Sequence, residues 1–415
     1  LIGATPAVAQ TPRGLQSGQD TKVDLTETPV LANSRVVAMG GAYTAIAEES
    51  VAIPFNPAAV AHRPYYSLDW WDWHFNWDLF APGLLQSDQF DFDNSGVSSS
   101  DGFLAFAIGV DLQLKSFGVG LHFRGQEDNL QRTTGAGEEL RAATWVGQLA
   151  LGYGFLDHRI VVGAAFKVGS FALGLAEELL PEILVGGFGL GFDLGVLIRS
   201  WELPLRVGIG FSSPLYDVGG SYICDHQQCP EDAFLPNGLT AGWELRIGAA
   251  WQFSFDGQRF NPRPEMRSSL AKEVERRAVR DHKSRLDLNQ TYRGGRYLLL
   301  SAEAVLVGPV DKAVGKYSLV VDTPLPAGEE LSIGVRFGAE GEVVKRRLRL
   351  RAGGYWEPSR YTGQTGRMHG TFGLLVRMFD LTIPFIGRYG LCFSASMDLS
   401  RRYSNVIASV LNFWY

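Results

Sequence analysis

Tyr403-Ser404-Asn405-Val406-Ile407-Ala408-Ser409-Val410-Leu411-Asn412-Phe413-Trp414-Tyr415 is the stretch that decides the fold. Side chains of an extended strand point alternately to its two faces, which puts Tyr403, Ile407, Leu411, Phe413 and Tyr415 on one side. One face for lipid, one for a polar lumen and an aromatic for the membrane interface suit the last strand of a membrane β-barrel. A soluble edge strand can carry the same pattern, so the rest of the chain has to decide.

Composition agrees with a barrel. The 49 Gly, 10 Trp, 25 Phe and 14 Tyr among 415 residues are high for a soluble enzyme. Barrels use aromatics as interfacial girdles and Gly where the wall bends or something packs closely. No window reaches the roughly 18 uninterrupted apolar residues that a spanning helix needs. A net charge of -6 with no domain-wide basic face gives no reason to expect nucleic acid. Ala7-Val8-Ala9 ahead of Gln10 has the spacing accepted by a signal peptidase, so 1–9 reads as the remnant of a secretory signal. An Ala-rich disordered terminus is the plainer alternative.

Period-two alternation predicts strands at 66–77, 102–110, 117–126, 144–155, 159–169, 187–199, 203–211, 239–253, 297–306, 331–340, 347–355, 369–378, 388–398 and 403–415. Trp71, Trp73, Phe75 and Trp77 alternate with Asp72, His74 and Asn76, and Phe117, Val119, Leu121 and Phe123 with Gly118, Gly120, His122 and Arg124. The series Phe188 to Ile198 would turn Asp193 into the lumen. The expected fold class is therefore all-β, a fourteen-stranded antiparallel transmembrane barrel over 65–415, an even number as single-chain bacterial barrels have. Links after even-numbered strands are mostly short and those after odd-numbered strands mostly long, matching periplasmic turns and outside loops. The exception is 254–295, a long insertion that parity places on the periplasmic side. Its part 264–288 has helical spacing at Leu270, Val274 and Ala278 and is rich in Arg and Lys. It reads either as a solvated helix across the barrel mouth or as a docking element for an envelope protein.

Fourteen strands enclose a lumen too wide for their own side chains to fill. The leading segment 10–64 is long enough to fold back inside as a plug, or hatch. It holds a helix-compatible stretch, 34–49, with Met39-Gly40-Gly41-Ala42 and Glu48-Glu49, and then Asn56-Pro57-Ala58. On these residues the chain resembles the FadL-like outer-membrane barrels and, equally, their PorV-like relatives of a secretion system. The resemblance implies a fourteen-stranded barrel of the bacterial outer membrane, set in lipid, with an N-terminal hatch. For FadL-like members it implies uptake of hydrophobic small molecules, such as long-chain fatty acids or aromatic hydrocarbons, through the lumen and a lateral gap. For PorV-like members it implies an accessory role toward secreted or envelope proteins.

Candidate ligand residues are Phe171, Leu173, Leu175, Leu179, Leu180, Ile183 and Leu184, in an apolar link over 170–186, since exposed apolar surface of this size marks binding. The alternative is packing against a neighbouring loop. Arg336, Arg351 and Arg377 could meet a ligand carboxylate from the lumen, as could Arg124, Lys167, Arg246 and Arg349. Asp193, Glu244, Glu303 and Glu340 share that face, and pairing across strands is the plainer reading. Cys224 and Cys229 are expected to form a disulfide. A zinc site with His226 would lack ligands, and Cys392 is left as a packing thiol. The seven His fall in no catalytic or metal-ligating spacing, so neither enzyme activity nor a cofactor is expected.

Overall fold

The computed structural model describes residues 21–62, 70–85, 90–97, 104–131, 139–175, 183–218, 222–223, 236, 238–256, 260–261, 264–281, 295–321, 323–383 and 387–414. The signal remnant 1–9, Leu179, Leu180, the Cys224–Cys229 pair, His226 and Tyr415 lie outside them. Fourteen strands build the wall: β1 (Trp71–Pro82), β2 (Leu104–Leu114), β3 (Phe117–Gln131), β4 (Glu139–Phe155), β5 (Ile160–Leu175), β6 (Ile183–Arg199), β7 (Leu205–Ser212), β8 (Glu244–Ser254), β9 (Tyr297–Val307), β10 (Ser332–Val344), β11 (Leu348–Glu357), β12 (Arg367–Ile383), β13 (Gly387–Ser400) and β14 (Tyr403–Trp414). Each pairs antiparallel with the next, and β14 returns to β1, which closes the barrel. This seam pairs Trp77–Pro82 with Asn405–Val410, so its register ends before the lower half of β1.

The alternation works as read. Leu121 is 53% exposed on the outward face of β3 while its neighbour His122 is buried, and Phe188 and Phe192 face out while Asp193 faces in. An outer face of Leu, Phe, Ile and Val beside buried polar groups is stable only where hydrocarbon replaces water. Two expectations are corrected. Tyr403 and Ile407 are fully buried, on the inner face with Asn405 and Ser409, and not on the lipid side. Tyr403 is held there by Phe90 and Phe92 of an outside connection, which enclose its ring. Strands β5 and β6 also run to Leu175 and from Ile183, so most of the apolar link is wall rather than loop.

Residues 21–62 lie inside the wall and descend from the outer mouth to the side of the short turns. At the top, Lys22–Asp24 forms a parallel sheet between Leu239–Thr240 and Ala313–Val314, two segments of the outside connections. Below it, helix α1 (Ser34–Ala38) starts at Asn33, whose side chain accepts from Val36 N. A one-and-a-half-turn 3-10 helix, Pro57–Ala61, starts at Asn56 with Pro at its first position. Helix α2 (Pro264–Asp281) lies in the long connection after β8.

Candidate functional site

The enclosed segment touches the wall backbone to backbone, and glycine makes that contact possible. A Cβ at Gly338 of β10 would sit 2.4 Å from Met39 O, and one at Gly353 of β11 would sit 2.5 Å from Gly40 N. At Gly118 of β3 a Cβ would fall 1.8 Å from Val60 O. Gly40 and Gly41 have φ of +61° and +74°, a left-handed step that L side chains rarely take, and this turn ends α1 against the wall. The abundance of Gly in the sequence thus reflects close approach as well as bending.

Charge fixes the segment in place. Arg35 makes a two-pronged contact with Glu340, Nε to Oε2 at 2.9 Å and Nη2 to Oε1 at 2.8 Å. Its Nη1 reaches Glu48 at 2.9 Å and the Tyr43 hydroxyl at 3.0 Å. Glu340 also accepts from Arg351 Nε and the Tyr297 hydroxyl, each at 2.6 Å. Arg206 of β7 takes the other oxygen of Glu48 at 2.8 Å and the Ile46 carbonyl at 3.1 Å. Glu303 accepts from Tyr43 N and Thr44 N at 3.0 and 2.9 Å. Buried charges persist only when paired and hydrogen-bonded, and here cations and carboxylates alternate between segment and wall. Asn56 donates to Thr44 O at 2.9 Å and Val196 O at 3.0 Å while its Oδ1 caps Ala58 N, so one amide ties two parts of the segment to β6.

Above this layer the outer end is apolar. Phe90, Phe92, Phe171, Leu173, Tyr317, Leu319 and Tyr403 belong to one buried cluster drawn from outside connections and strand tops. Phe90 stacks on Tyr403 with ring centres 5.8 Å apart. A polar clamp closes over it: Arg367 of β12 donates to the Asp91 and Phe92 carbonyls at 2.5 and 2.6 Å and to Glu357. His369 lies between Glu357 and Asp398 at 2.6 and 2.8 Å, with the Tyr355 ring stacked on it. In the loop 90–97, burial with Asp91 alongside raises the Asp93 carboxyl to about 6, against a hydrogen bond from Tyr361. Burial raises Asp91 as well, opposed by Arg367.

No family profile and no curated protein matches the sequence. Among solved structures, the CymD monoaromatic hydrocarbon channel superposes with a TM-score of 0.56 at 11% identity, over 94% of this chain and 100% of its own. The P. putida toluene transporter TodX does so with 0.53 at 13% identity, over 94% and 99%. This chain has the fold of those channels. The closed fourteen-stranded antiparallel barrel expected from the sequence is the one found.

Within that fold, Met39, Gly40, Gly41, Asn56, Pro57 and Ala58, the residues expected to mark a hatch, are all buried. Phe171 and Leu173 are buried in the outer cluster, 2% and 1% exposed, so they do not form an open collecting surface. Leu175, Ile183 and Leu184 lie at strand ends. Arg336 faces Glu303 at 3.7 Å and Arg351 faces Glu340, while Arg377 pairs with Asp380 beside a short turn. Lys167 with Asp193, Arg246 with Glu244, Arg124 with Glu27 and Arg349 with Glu342 complete the pairing. The sequence reading missed Arg206, Tyr43 and the Glu357–His369–Asp398 clamp. For Arg206, Glu357, His369 and Asp398 a polar residue at an inward strand position was the signal, and Tyr43 had none.

Proposed function

We propose that this chain takes up hydrophobic small molecules across the outer membrane, with residues 21–62 acting as its hatch. The observation that carries the reading is the stacking of two layers, an aromatic-aliphatic mouth above a lumen closed by a segment held through ion pairs. A ligand partitions into the mouth because leaving water favours it by roughly 25 cal/mol per Å² of apolar area buried. Displacing the segment from its glycine seats then opens a path. The seam between β1 and β14, where the paired register stops at Trp77, is the proposed side exit toward lipid.

Neutral cargo fits better than a fatty acid. Arg336 and Arg351 each already face a wall glutamate, and a ligand carboxylate would have to break a buried pair to reach them. A monoaromatic hydrocarbon, the cargo named for both similar channels, makes no such demand. The test is uptake of labelled toluene and labelled oleate by cells that lack channels of their own and express this chain. Toluene entry above that of the empty strain, slowed by Phe92→Ala, supports the reading; toluene entry equal to the empty strain refutes it.

We also infer a contact with an envelope protein through α2, whose Val279 is 74% exposed among Arg276, Arg277 and Arg280. Capture of a partner that survives deletion of 264–281 would rule this out.

A further inference from the structure

The lipid-facing side of the wall is not uniform. Over β3 and β4 it carries large side chains, among them Phe117, Leu121, Phe123, Leu149, Leu151 and Tyr153. Over β8 to β13 it is hollowed. Two adjoining troughs of about 590 and 670 Å³ lie there and share Ala339 and Ala352 as their common floor. Leu300 and Phe337 rim one, Leu350 and Phe372 the other. The wall is thin at this place, because its inner positions Gly338 and Gly353 are pressed by Met39 and Gly40. Hydrocarbon surrounds this face, so what fills the hollow is an acyl chain.

The lower end of the hollow is marked by charge. Strands β10 and β11 are joined by Lys345-Arg346-Arg347, a turn on the side of the short turns, which this architecture directs to the periplasm. The other short turns described on that side hold at most one Lys or Arg each: Lys115-Ser116, 156–159 and 200–204. Lys345 and Arg347 are exposed. Arg377 lies beside them, its backbone N bonded to Arg347 O at 3.0 Å, and Arg296 and Arg349 are near through Asp256 and Glu342. Among the described residues, Lys345, Arg347 and Arg296 are the exposed cations there, with Asp256 between them, while Arg349 and Arg377 turn to the inner face. Strand β10 climbs from this turn past Gly341 to Ala339, and at about 3.3 Å per residue a tilted strand brings an acyl chain from headgroup level to the trough floor.

We propose that this face is a binding site for an anionic phospholipid of the periplasmic leaflet, its phosphate at Lys345–Arg347 and an acyl chain in the trough over Ala339 and Ala352. The site is separate from the lumen and does not depend on what the barrel transports. Bound lipid would brace the thin wall behind Met39 and Gly40.

The full chain in nanodiscs with equal parts of phosphatidylglycerol and phosphatidylcholine, released for native mass spectrometry, reads the lipid retained. Wild type should keep phosphatidylglycerol over phosphatidylcholine. Lys345→Gln with Arg347→Gln should lose that preference by about 30-fold, two cations each worth about fivefold at an anionic surface. Ala339→Phe with Ala352→Phe should release both lipids while leaving toluene uptake intact, which separates this site from the transport reading. Equal retention of the two lipids by wild type, an undiminished preference in the double Gln variant, or a dimer formed through this face would each overturn the proposal.

Discussion

Replacing Glu340 by Gln is the sharpest single perturbation of the luminal segment. In the wild type its carboxylate is fully buried and accepts from Arg35 twice, from Arg351 and from Tyr297. Glutamine keeps the shape and one acceptor, but leaves two buried guanidinium groups facing each other with one negative charge removed. Breaking a buried pair costs about 3 to 5 kcal/mol, and Arg35 keeps only Glu48 as its remaining carboxylate. The wall is held by its strand-to-strand ladders, so the loss falls on the docking of residues 34–46 rather than on the barrel. At about 1.4 kcal/mol per tenfold, the undocked population rises by roughly two to three and a half decades. Hydrogen exchange resolved by peptide should show the amides of 34–46 exchanging faster by that factor, with β3 and β4 unchanged. Unchanged protection of 34–46 in Glu340→Gln would refute the idea that this ion network holds the segment.

Gly338→Ala puts a methyl group 2.4 Å from Met39 O, and should loosen the segment by about 1 to 3 kcal/mol, read by the same exchange, whereas Gly370→Ala, whose nearest neighbour is 4.0 Å away, should not. Asn56→Ala removes a helix cap worth about 1 kcal/mol together with the amide's donation to Thr44 O and Val196 O, so the thermal midpoint should fall. The Asp93 carboxyl is raised to about 6 in the fold, so the native state holds a proton that the unfolded chain releases earlier. Stability of the outer loop should therefore fall as pH rises from about 4 to about 6, by about 3 kcal/mol in all, and stay level above. Limited proteolysis of 90–97 across that range checks it, and Asp93→Asn should reduce the dependence to the part that Asp91 carries.

Much of the barrel is written in local pattern. His74 and Asn76 against Trp77, or His122 between Leu121 and Phe123, announce an inner and an outer face within a few residues, and fourteen such runs give the strand count. What local pattern cannot carry is register. Tyr403 and Ile407 point inward with Asn405 and Ser409, and nothing in the thirteen terminal residues signals which face is which, because the partners of Tyr403, Phe90 and Phe92, come from a distant outside connection. Strand ends beyond the hydrocarbon were also hidden, since Phe171 and Leu173 look the same in a greasy loop as in the top of a wall.

The site was legible as a list of charges without partners. Arg35 and Glu340 are 305 residues apart, and only closure of the barrel brings them together. The Met-Gly-Gly and Asn-Pro-Ala stretches mark the segment, but nothing local distinguishes the glycines that receive it, such as Gly118 and Gly338, from those that merely let the wall bend.

The central claim is that cargo passes only when residues 21–62 move. Ser34 and Ser394 are in hydroxyl contact, one on the segment and one on β13, so cysteines at both positions, in a background with Cys392→Ser, can lock segment to wall. Toluene uptake measured before and after reduction is the most direct test. The account predicts no uptake when the pair is oxidised and wild-type uptake once it is reduced; transport at the same rate in both states would contradict it.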